Sequence, residues 1–143
     1  MVVTFCGHGH VPNGDPVRQW LYQVVKELIL KGADKFYLGG YGEFDLMAAA
    51  VVRDLKQQHL AVVAILVLPY LSKKTGSDLY DETIYPPLEG APPRYAIVHR
   101  NRWMVQASDF VVAYVTRDWG GAAATLKYAR QRKKRVPLFP HET

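Results

Sequence analysis

The sequence predicts an α/β chain, a Rossmann-like three-layer α/β/α sandwich with a mostly parallel five-stranded sheet. Two observations carry that expectation. Apolar, β-rich runs alternate with amphipathic helical stretches along the chain, and each crossover is long enough to return the next strand parallel to the last. Glycine-rich turns follow several strand candidates, on the sheet edge where such folds bind ligands.

The first strand is "VVTFC", ending in the turn "GHGH" at 7–10. Asp15 as N-cap and Pro16 at the first helical position then open a helix. Its apolar positions Val17, Trp20, Leu21, Val24, Val25 and Leu28 share a face, and it closes on Gly32. "KFYLGG" is the second strand. From Phe44 the residues Met47, Ala48, Val51, Val52 and Leu55 continue one helical stripe, with Glu43 and Asp45 at its start. "LAVVAILVLPY" is a continuous apolar strand of the kind buried on both faces.

Periodicity then lapses over about 69–95, a proline-, glycine- and tyrosine-rich stretch read as a lid or binding loop. It returns with "RYAIVHRNRWMVQASD" as a helix and "FVVAYV" as the fourth strand. "RDWGG" is the next turn, "AAATLKYARQRKK" the last helix and "VPLF" the fifth strand. A length of 143 residues, 49% hydrophobic and 22% charged, suits a single domain over 1–143.

Composition narrows the class. The longest apolar run, at 60–68, is too short for a membrane helix, which needs about 20 residues. No basic-flanked leader is visible, so a cytoplasmic protein without a membrane partner is expected. The lone Cys6 has no partner for an intramolecular disulfide, in keeping with a reducing compartment. The net charge of +5 is concentrated in "RQRKKR" at 130–135; the remaining 13 basic residues balance 13 acidic ones. That segment reads as a solvated helix end complementing the helix dipole, and nucleic acid is disfavoured as a partner.

Chemistry gathers in three turns: "GHGH", "GGYGEFD" and "DWGGAAAT". In the latter two, glycines precede a helix, so free amides and the helix dipole can face an anion such as phosphate. Neither matches the dinucleotide fingerprint or the P-loop. Candidate ligand-binding residues are Gly7, His8, His10, Gly39, Gly40, Gly42, Asp45, Gly120, Gly121 and Thr125. Glu43 and Asp45 suit ribose hydroxyls or helix capping better than a neighbouring phosphate. Cys6, His8 and His10 alternate without a fourth ligand, so no metal is expected, and no cofactor is called for. Arg100 and Asn101 spend positions beside Met104 and Val105 on polar groups, which points to recognition of a phosphate or base edge. Tyr70, Tyr80 and Tyr85 are candidates for stacking on a base.

Over nearly the whole chain these motifs, "FCGHGH", "GGYGEFDLMAA", "HRNRWMVQASDFVVAYV" and "WGGAAATLKYA", resemble the SLOG superfamily of Smf/DprA and LOG proteins, and within it the small YpsA-like bacterial branch. The resemblance implies a Rossmann-like fold for nucleotides, nucleoside monophosphates or ADP-ribose derivatives, and a homodimer or higher homo-oligomer. In LOG-type members, which cleave the base from a nucleoside monophosphate, an arginine before the fourth strand and a glutamate in the following helix carry catalysis. Arg100 matches the arginine; Lys127 or Tyr128 stands at the glutamate, leaving Glu43 as the substitute carboxylate. The expected function is to sense or sequester a phosphorylated nucleotide or an NAD- or ADP-ribose-derived ligand. An N-glycosidase using Glu43 and Arg100 as catalytic residues is the alternative, and single-stranded DNA binding the third reading.

Overall fold

A computed structural model describes residues 1–69, 79–86 and 95–140. It has strands β1 (Val2–Gly7), β2 (Lys35–Leu38), β3 (Val63–Val67), β4 (Glu82–Ile84) and β5 (Phe110–Tyr114). The helices are α1 (Gly14–Leu30), α2 (Glu43–Lys56), α3 (Ala96–Gln106) and α4 (Gly121–Gln131). The strands form one parallel sheet in the order β4-β3-β2-β1-β5.

Alternation along the strands explains the three layers, because successive side chains leave opposite faces. Phe5, Phe36, Ala64 and Val112 pack with Leu21, Val25, Phe44 and Val52 of α1 and α2. Their neighbours Cys6 and Ala113 pack with Val105 of α3 and Leu126 and Ala129 of α4. Ile65 and Val67 meet Met104 on that same helical face. Both faces are covered, which is why the central strands read as unbroken apolar runs.

The chain proceeds outward from β1 through β2, β3 and β4, then returns through α3 to place β5 on the other side of β1. Connections from β1 and β5 therefore leave toward opposite faces. A crevice opens at the carboxyl ends of these two strands, the switch point of the topology.

Three details correct the sequence reading. The fifth strand of the sheet is Glu82–Ile84, inside the stretch read as a loop. Asp81 starts it: its carboxylate accepts from the Ala64 amide at 2.8 Å and pairs with Lys56 at 2.6 Å, while its own amide donates to the Ala64 carbonyl. "VPLF" and the Arg135 before it instead make only isolated bridges, Phe110 to Arg135 and Ala113 to Leu138, since Pro137 has no amide for a continuous ladder. Helix α1 begins at Gly14 with Asn13 in the cap position, so Asp15 lies in the first turn rather than at the cap. The remainder of the proposed lid, 70–78 and 87–94, lies outside the described residues.

Helix α4 ends with Lys133 at φ 58°, its amide donating to Arg130 and that of Lys134 to Ala129. A side chain in this left-handed region is crowded by its own backbone. Lys133→Gly is expected to stabilise the fold by about 0.5–1 kcal/mol, a gain offset in part by the freer unfolded chain. A thermal melt should show a rise of about 2–3 °C.

Candidate functional site

The "GGYGEFD" segment divides its two carboxylates between two tasks. Glu43 reaches across to the turn after β1, accepting from the Val11 amide at 2.8 Å and pairing with His10 Nδ1 at 3.0 Å. Its own amide donates to the Gly9 carbonyl at 2.9 Å. The Val11 amide and His10 hold the Glu43 carboxyl below its ordinary range. Gly42 permits this junction: its φ is 91°, and a Cβ there would lie 3.0 Å from the Gly9 Cα.

Asp45 turns the other way, beneath its own loop. Its carboxylate accepts from the Gly40 amide at 2.5 Å, and the Gly39 and Tyr41 amides also face it. Desolvation raises its pKa from 3.8 to about 6, against the downward pull of those amides and of Arg100. Folded Asp45 thus holds its proton more tightly than the unfolded chain does. Its contribution to stability should fall as pH rises from 3.8 through about 6 and stay level above that. Asp45→Asn is expected to flatten this decline, read from thermal melts across that window.

Arg100 is buried where β2 and β3 end. Its Nη1 donates to the Gly39 carbonyl at 3.1 Å and the Val67 carbonyl at 2.9 Å, and its Nε donates to Asn101 Oδ1 at 2.9 Å. Gly39 must be small for this, since a Cβ would stand 3.0 Å from the guanidinium carbon. His8, also buried, accepts the Thr116 amide on Nε2 at 2.9 Å, which puts its proton on Nδ1. Burial, then the charge of Arg117, lowers its pKa, so the ring is neutral near pH 7.

These groups border a cavity of about 260 Å³ at the switch point. Gly7 and His8 enter from β1, Gly39, Tyr41 and Asp45 from the loop after β2, and Arg100 and Asn101 from α3. Arg117, Gly121, Ala122 and Thr125 complete it from the β5–α4 side.

Electrostatics separate the two helix starts near this cavity. Helix α2 carries Glu43 and Asp45 in its first turn, and its first amide is taken by Gly9. Helix α4 has no acidic residue in its first turn and no side-chain cap. Its first intrahelical bond runs from the Ala124 amide to Gly120, which leaves the preceding amides without an intrahelical acceptor. Of the two, α4 is the start suited to an anion.

Several sequence candidates stand elsewhere. His10, Gly40, Gly42, Glu43 and Gly120 are not among the residues that line the cavity. Tyr80 packs against the core with its hydroxyl buried and without a hydrogen-bond partner among the described residues; burial and then Asp45 push its pKa to about 12. Tyr85 lies just past β4, outside the lining, and Tyr70 is outside the described residues. Arg117 and Tyr41 line the cavity without having been singled out. The signal for Arg117 was its place between the end of a strand and a double-glycine helix start.

No known protein-family profile matches the chain. A UPF0398 protein from Halalkalibacterium halodurans is 24% identical over 147 residues, covering 88% of this chain and 76% of the relative. DNA processing protein A from Helicobacter pylori, described for its single-stranded DNA binding mode, superposes with a TM-score of 0.71 and 18% identity over 99% of this chain and 66% of that one. Its counterpart from Streptococcus pneumoniae gives 0.71 and 16% over 98% and 50%. The molybdenum cofactor carrier protein of Chlamydomonas reinhardtii gives 0.64 and 19% over 97% and 78%.

The chain is an α/β domain of Rossmann-like architecture, with the same fold as these structures. That shared fold is the architecture which the resemblance of the motifs to the SLOG superfamily implies. The chain spans 66% and 50% of the two DNA processing proteins. The expectation that disfavoured nucleic acid is corrected by these neighbours, which share the fold over nearly the whole chain and include one described by its DNA binding mode. The charge reading rested on where formal charges fall along the sequence, which carries no information about the fold that these neighbours share. Among the described residues, no helix is long and apolar enough to cross a membrane.

Proposed function

We propose that this protein binds a phosphorylated nucleotide, or an NAD- or ADP-ribose-derived ligand, at the carboxyl edge of its sheet. One observation carries the reading: an uncapped, acid-free helix start and Arg117 border the same cavity at the switch point. The phosphate sits on the amides at the start of α4 with Arg117 beside it, while the Thr125 hydroxyl donates to the Gly121 carbonyl at 3.0 Å and steadies that turn. Asp45 and Asn101 lie on the side suited to ribose and base edge, and the Tyr41 ring, 83% exposed, offers a stacking face.

Binding is favoured over turnover because Asp45 is the one carboxylate lining the cavity among the described residues, and loop amides engage it. Base cleavage needs a carboxylate placed to stabilise charge or activate water. Native mass spectrometry of the protein purified from cells, then incubation with nucleoside monophosphates, NAD and ADP-ribose, tests the proposal. Retention of an intact nucleotide is expected. Release of free base would assign turnover instead, and failure to bind any member of the panel would overturn the reading.

A further inference from the structure

The helices of this fold all end on one edge of the sheet, the edge where the strands begin, and it lies at the far end of the molecule from the cavity. That edge carries more positive charge than helix ends call for. Lys31 follows α1, Lys35 opens β2, and Arg132, Lys133, Lys134 and Arg135 follow α4; all but the half-buried Lys134 are exposed. Dipole complementarity reaches only the last turn of a helix, so Lys35 and Arg135, which stand beside strands, are not explained by it. The carboxylates at the same level are already engaged. Asp34 pairs with the Met1 ammonium at 3.3 Å, Asp109 accepts the Val2 amide at 2.8 Å and Asp81 pairs with Lys56.

The turn after α4 keeps one of these cations under strain. Both α1 and α4 close with the same pair of backbone bonds, Gly32 to Ile29 and Ala33 to Leu28 after the first, Lys133 to Arg130 and Lys134 to Ala129 after the last. Glycine fills the left-handed position after α1, with φ 112°, whereas α4 has Lys133 there with φ 58°. A cation is kept where glycine would be less strained. Around it, Met1, Asp109, Phe110 and the four cations of 132–135 border a hollow of about 430 Å³. Large apolar side chains flank the same edge: Leu30 at the end of α1 is 70% exposed, and Leu60, between α2 and β3, is 82% exposed. Lys35 and Arg135 are separated by the strands β1 and β5, a span of roughly 14 Å at ordinary strand spacing, and Leu60 precedes the next strand over. Cations and leucines therefore share one broad face.

Clustered cations, a hollow that admits an anionic group and protruding leucines together match the interface of an anionic bilayer, where charge attracts and apolar side chains enter the headgroup layer. A nucleic acid or an acidic peptide would use the cations and leave the leucines in water. We propose that this edge is a docking surface for a membrane rich in anionic lipid, with Arg132, Lys133 and Arg135 on the headgroups and Leu30 and Leu60 inserted beside them. The expectation of no membrane partner came from the lack of a membrane-length apolar run, and surface contact needs none. Docked this way, the cavity at the carboxyl ends of the strands faces away from the bilayer. The proposal stands apart from the nucleotide reading, because the two surfaces lie at opposite ends of the sheet.

The test is flotation of the full chain with vesicles of phosphatidylcholine, alone or with about one third phosphatidylglycerol, at several salt concentrations. Affinity for the anionic vesicles should exceed that for the neutral ones by at least about tenfold and fall as salt rises. Lys133→Gly, a variant expected to stabilise the fold, should weaken binding by about fivefold, the share of one cation, which separates docking from folding. Leu30→Ser with Leu60→Ser should weaken it by about fivefold or more and leave the salt dependence unchanged. Equal affinity for the two kinds of vesicle, or none for either, overturns the proposal. Unchanged affinity in Lys133→Gly overturns it as well. So does full affinity in the leucine variant, which would mark the edge as a surface for acidic protein or nucleic acid instead.

Discussion

Arg100→Met is expected to destabilise the protein by about 3 kcal/mol, because it removes the donor that one buried and one half-buried carbonyl share and a cation facing Asp45. The carbonyls are those of Gly39 and Val67, at the ends of adjacent strands. Methionine matches much of the arginine stem, so a packing void is not the main cost. The loss should appear as a fall in Tm of about 10 °C. Arg100→Lys should fall between the two, since one ammonium keeps the charge without the planar fork that meets several acceptors. An unchanged Tm in the methionine variant would mean that water satisfies these carbonyls and that Arg100 does not hold the strand ends together.

Gly121→Asp should have opposite effects on stability and binding. A Cβ at Gly121 meets nothing within 4 Å, so a side chain fits without displacing its surroundings. A carboxylate at the start of α4 complements the helix dipole and should stabilise the fold by about 0.5 kcal/mol. That same carboxylate occupies and repels the proposed phosphate position. Affinity for a nucleoside monophosphate should drop by about 100-fold, the scale of a few kcal/mol for juxtaposed like charges. Gly121→Ala, which adds bulk without charge, should retain binding within a few fold. Calorimetric titration of both variants separates repulsion from crowding. Equal losses in the two would place the effect in sterics, and no loss in either would move the phosphate away from α4.

Legibility of the fold followed the strength of the periodic signal. Helices α1 and α2 were readable because Val17, Leu21, Val25 and Leu28, and then Phe44, Ala48, Val52 and Leu55, recur at helical spacing and are all buried. Strands β1, β3 and β5 were readable as runs covered on both faces. Strand β4 was not: three residues at a sheet edge, none of them fully buried, carry no pattern separable from a loop. "VPLF" erred in the other direction, since apolar residues beside β5 satisfied the strand pattern while Pro137 withheld the amide needed to extend the ladder.

The site was legible to the level of turns and not of side-chain direction. Gly39, Gly121, Arg100 and Thr125 were marked by sequence and line the cavity. The division between Glu43 and Asp45 was invisible because two residues apart on a helix point to different sides, and only the packed turn after β1 decides which one faces the cavity. Arg117 was obscured for a related reason. Its value comes from its stacking on the Trp119 ring and from its place at the cavity, neither of which a linear sequence displays.

The central claim is that phosphate rests on the start of α4, and an amide-resolved NMR titration with a nucleoside monophosphate tests it most directly. The amides of Gly121 and Ala122 should move furthest and saturate with the ligand, while the unphosphorylated nucleoside at the same concentration leaves them in place. Equal shifts with nucleoside and nucleotide, or shifts confined to the start of α2, would contradict the account.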